Sequence, residues 1–135
     1  MLTEKDYCDY DTCVALKELG YKGISRFFYA TKESPLRRYS YDQILTTRIA
    51  DAVGHTLAIS LYYAQKWLRE EKGIYVMIEA PWKTDDGLGW SHICCNKPLT
   101  IEDQEVCFAT GGFFDSYEEA LLEGIKEAVK ILMEE

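Results

Sequence analysis

The chain has 135 residues, of which 47% are hydrophobic and 28% are charged, and its formal net charge is −8. These values exclude an intrinsically disordered chain, and no apolar run approaches the roughly 20 residues that cross a bilayer. The length fits a single domain over residues 1–135. The acidic N-terminus lacks the basic-then-apolar order of a signal peptide, which predicts a cytoplasmic protein without membrane contact.

The charge is distributed unevenly along the chain. Residues 21–50 hold six basic and two acidic residues, whereas residues 51–135 hold seven basic and sixteen acidic residues. Electrostatic partners respond to local potential, so this basic segment is more informative than the total charge.

The first predicted element is a helix near residues 11–19. Asp9 or Asp11 can cap its N-terminus, and Gly20 stands where a left-handed residue commonly ends a helix. The residues at helical spacing that predict its buried face are Thr12, Ala15, Leu16 and Leu19.

A β-hairpin is predicted over residues 24–41, with its turn at Lys32 to Pro35. Because basic and aromatic side chains are interleaved in it, we name it the basic hairpin. Arginine beside exposed rings can bind phosphates and stack on bases. Alternatively, one strand face buries the rings and the other shows solvated arginines, as in an ordinary soluble sheet. The candidate binding residues are Arg26, Tyr29, Lys32, Arg37, Arg38 and Tyr39.

Residues 41–58 predict no single element. Their apolar residues allow a short helix, whereas Thr46, Thr47 and Gly54 oppose one.

A second helix is predicted near residues 60–71, with Ser60 as its N-cap and Gly73 as its stop. The segments IYVMIEA, WSHICCN and EVCFAT then predict a three-stranded antiparallel meander. The turn-rich stretch PWKTDDGLG joins the first two of these strands.

Five cysteines at irregular spacing predict reduced thiols and no disulfide framework. Strand alternation places His92 and Cys94 on one face of their strand. The sequence has no C-x2-C or H-x3-H spacing, so we predict no metal site. It also has no nucleophile-elbow or family-specific cysteine signature, so we predict no catalytic residue and no cofactor. An enzyme that depends on a metal, or on a cysteine paired with His55 or His92, is a minor alternative.

The most strongly patterned stretch predicts a helix over residues 116–133. Ser116 and Glu119 form a capping box, and Gly124 on the buried side predicts close approach of the helix to a sheet. The apolar arc is wider than one sheet requires, which predicts self-association through one flank. The residues of that flank are Leu122, Val129 and Met133.

Together these elements predict an α+β fold, in which a hairpin and a three-stranded antiparallel meander carry about three packed helices. The predicted core consists of Leu16, Leu19, Leu61, Leu68, Val76, Ile78, Phe108, Leu121, Ile125, Ala128 and Leu132.

The segments AQKWLREEKGIYV and SYEEALLEGIKEAVKIL resemble a group of small uncharacterised proteins of commensal bacteria and their phages or mobile elements. The shared patterns are A-Q-x-W-L-R-E…G-I and S-x-E-E-A-L-x-x-G-I-K-E-A. Here they run from Ala64 to Ile74 and from Ser116 to Ala128. The resemblance implies a fold and a phage-related setting, and it implies no reaction.

A looser resemblance is to HicB-type antitoxins, whose small β-sheet ends in a similar S-x-E-E-A-L…K-E-A helix. Such proteins commonly carry a DNA-binding segment after this unit, whereas this sequence stops at Glu135. The resemblance implies an antitoxin-like role as an alternative function.

The leading functional hypothesis is a non-enzymatic interaction module whose partner is an unknown protein or a second copy of the chain. The alternative is a nucleic-acid or anionic-ligand binding protein that uses the basic hairpin. That alternative predicts an affinity that falls steeply with salt.

Overall fold

A computed structural model describes residues 4–39, 44–84, 87–95, 107–110 and 114–134. These residues form four α-helices and antiparallel sheets of two or three strands, which confirms the α+β class. The chain groups into two compact units, residues 1–60 and 61–135. A single domain spanning both units stays a prediction.

The first unit begins with a 3-10 turn at Glu4–Asp6 and then helix α1 at Tyr10–Glu18. Asp9 is the N-cap, since its Oδ1 accepts a hydrogen bond from the Thr12 amide at 2.9 Å. Gly20 ends the turn after the helix with φ +108°, as predicted. The buried face is shifted from the predicted one: Thr12 and Leu16 are buried together with Cys13, while Ala15 and Leu19 are half-buried.

Five short strands form two sheets in the first unit. Strand β1 (Ile24–Ser25) pairs with β4 (Leu45–Thr46). Strand β2 (Phe27–Tyr29) lies between β3 (Arg37–Arg38) and β5 (Thr56–Leu57).

The basic hairpin is therefore present as β2 and β3, but its predicted first strand is split between two sheets. A local hydrogen bond accompanies the split, since the Phe27 amide donates to Ser25 Oγ at 3.1 Å where the chain bends at Arg26.

Residues 47–52 form a short helix, α2 (Thr47–Ala52). Thr46 caps it by accepting a hydrogen bond from the Ile49 amide at 3.2 Å. Gly54 follows its end with φ +77°. Thr46 and Gly54, which are predicted to oppose a helix, therefore mark its two ends.

The second unit contains helix α3 (Leu61–Lys72), strands β6 (Tyr75–Thr84), β7 (Gly87–Cys95) and β8 (Cys107–Thr110), and helix α4 (Tyr117–Met133). The strands pair antiparallel in the order β6-β7-β8, which confirms the meander.

The predicted turn covers too much of the stretch PWKTDDGLG, because all residues of that stretch except Asp85 and Asp86 belong to strands β6 and β7. The ladder shifts register between Glu79 and Trp82, where Pro81 lacks the amide that a regular ladder needs. Asp85 and Asp86 lie outside the described residues, as do Glu105 and Val106 of the predicted third strand.

Buried apolar residues occur in both units. Of the predicted core residues, Leu19, Ile78 and Leu132 are half-buried, and the side chain of Phe108 lies outside the described part. Four cysteines that form no disulfide are fully buried and behave as small apolar residues: Cys8, Cys13, Cys94 and Cys95. The predicted core residues found buried are Leu16, Leu61, Leu68, Val76, Leu121, Ile125 and Ala128.

Helix α4 packs on β6 and β7. Ser116 Oγ accepts from the Glu119 amide at 3.1 Å, and the Glu119 carboxylate accepts from the Asp115 amide at 3.3 Å. The glutamate of the capping box thus bonds to the amide one residue before the N-cap, whereas the usual form bonds to the N-cap amide itself.

Among the described residues, no helix combines the length and apolar character needed to cross a membrane.

Gly124 brings the helix close to the sheet, as predicted. A Cβ added there would lie 2.6 Å from Val76 Cγ1 and 3.1 Å from His92 Cβ. Its carbonyl oxygen also accepts a hydrogen bond from Cys94 Sγ at 3.3 Å. The absence of a side chain therefore sets the distance between helix and sheet.

We expect Gly124→Ala to lower the free energy of unfolding by about 1–3 kcal/mol, because overpacking outweighs the better helix propensity of alanine. Chemical denaturation monitored by circular dichroism measures the change. Lys130→Ala on the exposed face of α4 is the control and should change stability by no more than about 0.5 kcal/mol. Equal or greater stability of Gly124→Ala would show that the helix does not rest on the sheet at this distance.

Candidate functional site

The basic segment of the first unit is exposed to solvent. Residues 1–60 contain eight basic and eight acidic residues, whereas residues 61–135 contain seven and fifteen, so the first unit is neutral and the second carries the net charge of −8. Basic residues that are exposed on a neutral unit can meet an anionic partner without strong overall repulsion. All six basic residues of 21–50 are exposed: Lys22, Arg26, Lys32, Arg37, Arg38 and Arg48.

The cations of the basic hairpin differ in their surroundings. Arg37 and Arg38 are consecutive on β3, the edge strand next to β2, so their side chains leave opposite faces of the sheet. Lys32 Nζ lies 3.8 Å from Asp11 Oδ1, and both side chains are well exposed. Such an exposed pair contributes little to stability and partly offsets the charge of Lys32.

Tyr29 of the basic hairpin is an interior residue. It is 6% exposed, its hydroxyl donates to the Cys8 carbonyl oxygen at 2.7 Å, and its ring meets Tyr10 edge-on with centroids 6.0 Å apart. Burial, followed by the nearby Cys13 and Cys8, raises the pKa of Tyr29. Its ring therefore serves the core of the first unit and offers almost no surface to a ligand.

Tyr39 belongs to an aromatic cluster at the sheet β3-β2-β5. Its ring lies 4.2 Å from Phe28, and the Phe28 ring stacks on His55 at 4.4 Å. Tyr39 Oη and His55 Nδ1 share a hydrogen bond of 2.8 Å, and burial raises the pKa of Tyr39. The cluster forms because the sheet brings three distant segments together, which no local sequence pattern indicates.

The predicted self-association flank of α4 is largely covered by its own chain. Val129 is buried at 7% exposure and Leu122 is half-buried, while Met133 is 45% exposed. Most of the wide apolar arc is therefore covered within the second unit, and Met133 is the flank residue that remains well exposed.

A tyrosine pair on α3 is the most exposed aromatic surface of the described chain. Tyr62 is 63% exposed and Tyr63 is 52% exposed, and their rings meet edge-on with centroids 5.4 Å apart. Both lie opposite the buried stripe of the same helix, which consists of Leu61, Ala64 and Leu68. Sequence reasoning missed this pair, although two consecutive tyrosines opposite an apolar stripe are a readable signal.

His92 on β7 is buried against α4. It is 5% exposed, its Nδ1 has no hydrogen-bond partner among the described residues, and its ring stacks on Phe114 with centroids 5.8 Å apart. Burial lowers the pKa of His92, although the acidic Glu127 and Glu123 act in the opposite direction. Within the described ranges, no three His, Cys, Asp or Glu residues converge as a metal site requires.

Comparisons of the chain with protein-family models, with curated proteins and with solved structures found no match. Functional evidence therefore comes from the geometry of the exposed surfaces.

We expect acid to destabilise the second unit through His92. Its lowered pKa means that the unfolded chain binds the proton more readily, so stability is intact above about pH 6.5 and falls as pH drops below it. Denaturation of the wild type and His92→Leu at pH 7 and pH 5 isolates this effect, since both proteins share the same carboxylates. The wild type should lose more stability than the variant over that interval. Equal losses would contradict the assignment.

Proposed function

We propose that this protein is a non-enzymatic interaction module that binds another protein through Tyr62 and Tyr63. The observation that carries the proposal is the joint exposure of these two rings on the outward side of α3. Their position opposite the buried stripe means that folding of the helix does not require them to be apolar.

The energetics favour such a surface as a contact point. An aromatic side chain covers about 150–250 Å² when it is buried, and removing apolar area from water contributes about 25 cal/mol per Å². Tyrosine is among the residues that dominate protein interfaces, because its ring is apolar and its hydroxyl still finds a polar partner. Exposed charged residues, Arg69 and Glu70, follow on the same helix and supply the polar rim that surrounds such contacts.

The partner in this proposal is a second copy of the chain or another protein of the same compartment. Met133 offers a smaller apolar contact on α4. We place the protein in the cytoplasm, because the four cysteines whose side chains are described form no disulfide, as is usual in a reducing compartment. The phage-related setting implied by the sequence resemblance is part of the same proposal.

The double variant Tyr62→Ser/Tyr63→Ser tests the surface. If the partner is a second copy, sedimentation velocity should show the wild type self-associating at about 100 μM, and the double variant should remain a monomer at that concentration. The control is Tyr117→Ser, which removes another exposed tyrosine of the same unit and should leave association unchanged.

If the wild type is a monomer, a photo-crosslinking residue at position 66 tests for a different partner in the native cell. It should trap one defined protein, and the double variant should abolish that product while Tyr117→Ser retains it. A monomeric wild type without a tyrosine-dependent product would refute the proposal.

A second candidate function is nucleic-acid binding by the basic hairpin. The specific observation in its favour is the exposure of Arg26, Arg37 and Arg38 on the neutral first unit. Because Tyr29 is buried and Tyr39 is half-buried, this surface supports phosphate contacts better than base stacking.

Fluorescence anisotropy with short mixed-sequence DNA and RNA tests this candidate. Binding should weaken by a few tens of fold between about 50 and 200 mM salt, if about three phosphates are contacted. Arg37→Gln/Arg38→Gln should weaken it at low salt, whereas Arg69→Gln/Lys72→Gln on α3 is the charge-matched control. If both double variants weakened binding equally, the binding would be nonspecific electrostatic attraction, and the basic hairpin would not be its site.

A further inference from the structure

An open groove in the first unit lies between the end of α1 and the start of α2 and has a volume of about 730 Å³. This volume is typical of pockets that bind small ligands, which span about 300–1,000 Å³. Its lining includes Lys17, Tyr21, Lys22, Ile24, Thr47 and Arg48.

The walls of the groove are held together by direct contacts. The Gly23 amide donates to Thr47 Oγ1 at 3.2 Å, and the Thr47 amide donates to the Gly23 carbonyl oxygen at 3.2 Å. The ring of Tyr21 lies so close to Gly23 that a Cβ added there would come within 2.5 Å of the hydroxyl oxygen. Since these bonds join the residue before β1 to the first residue of α2 in the absence of a ligand, the groove is pre-formed.

Cations dominate the charge of the groove. Lys17 Nζ forms an ion pair with Asp51 Oδ1 at 2.7 Å, which neutralises the acidic residue of the lining. Lys22 and Arg48 are exposed, and neither forms an ion pair within the part of the chain that the structure describes. The groove therefore presents two uncompensated positive charges to whatever enters it.

An exposed apolar side chain accompanies these cations. Ile24 lines the groove and is 57% exposed, although it stands on a strand. Covering it requires an apolar group, and the nearby Lys22 and Arg48 require an anionic one.

We propose that this groove binds a small organic anion, namely a phosphate or carboxylate attached to an apolar ring. The anionic group contacts Lys22 and Arg48, and the ring covers Ile24. The proposal uses residues other than the tyrosine pair of α3 and the arginines of the basic hairpin, so it stands or falls independently of both candidate functions.

Amide-resolved NMR titrations of the full chain with three probes test the proposal. Phenyl phosphate carries both features, inorganic phosphate carries the charge alone, and phenol carries the ring alone. Phenyl phosphate should shift the amide signals of Gly23 and Thr47 at millimolar or lower concentration and should bind at least about tenfold more tightly than either of the other probes. Equal binding of inorganic phosphate would reduce the site to a simple ion contact and overturn the proposal.

Matched variants locate the site. Arg48→Gln should weaken phenyl phosphate binding about tenfold, because one charged contact is lost, whereas Arg37→Gln makes the same charge change on β3 and should leave binding unchanged. Asp51→Asn releases Lys17 from its ion pair, so it should tighten binding several-fold. This gain keeps the proposal testable even if Arg48→Gln folds poorly.

The remaining outcomes each overturn the proposal. Equal losses from Arg48→Gln and Arg37→Gln would indicate nonspecific attraction, and weaker binding by Asp51→Asn would contradict the assigned charge balance. A capped Asp-Phe dipeptide represents an acidic protein segment as the ligand. If it bound more tightly than phenyl phosphate and shifted amides beyond the groove, the occupant would be a peptide and the small-ligand assignment would be wrong.

Discussion

The second unit depends on the close contact between helix α4 and the strands β6 and β7 at Gly124. Because this residue has no side chain, the helix backbone approaches Val76 and His92 within the distance that a single Cβ would fill. The approach lets Ile125 and Ala128 bury completely, and it places the helix carbonyl within reach of the Cys94 thiol. It also shields the His92 imidazole from water, and this burial favours the neutral form of the ring. Packing and electrostatics of this unit therefore follow from one missing side chain.

The first unit is stabilised differently. Its strands are only two or three residues long, so their ladders alone supply few hydrogen bonds. The interior compensates with polar contacts among buried groups, in which the Tyr29 hydroxyl and the Cys13 thiol both donate to the Cys8 carbonyl oxygen. Aromatic rings fill the space around β2, where Phe28 stacks on His55. These contacts hold the rings of the basic hairpin inside and leave its arginines outside.

The candidate surfaces were only partly predictable, for a physical reason. The sequence indicates which residues are charged or aromatic, but exposure depends on which other segment packs against them. Arg37 and Arg38 are exposed on an edge strand, whereas Tyr29 from the same predicted surface is interior. The tyrosine pair of α3 was predictable in principle, since Tyr62 and Tyr63 lie opposite the apolar stripe of their own helix. The groove beside Lys22 was not, because its walls come from segments more than twenty residues apart.

The sequence by itself determined the class of the fold and the helices with strong local signals. Asp9 and Ser116 mark helix starts because each side chain accepts a hydrogen bond from an amide of its own first turn. Helical and alternating periodicities are likewise local, so α3, α4 and the meander were predictable from them. Only the tertiary structure decided that the predicted hairpin is shared between two sheets, because Ile24 of β1 pairs with Thr46 of β4. It also decided that Val129 is covered within its own chain. These outcomes depend on contacts with segments that are distant in sequence, and no local pattern indicates which distant segment packs at a given position.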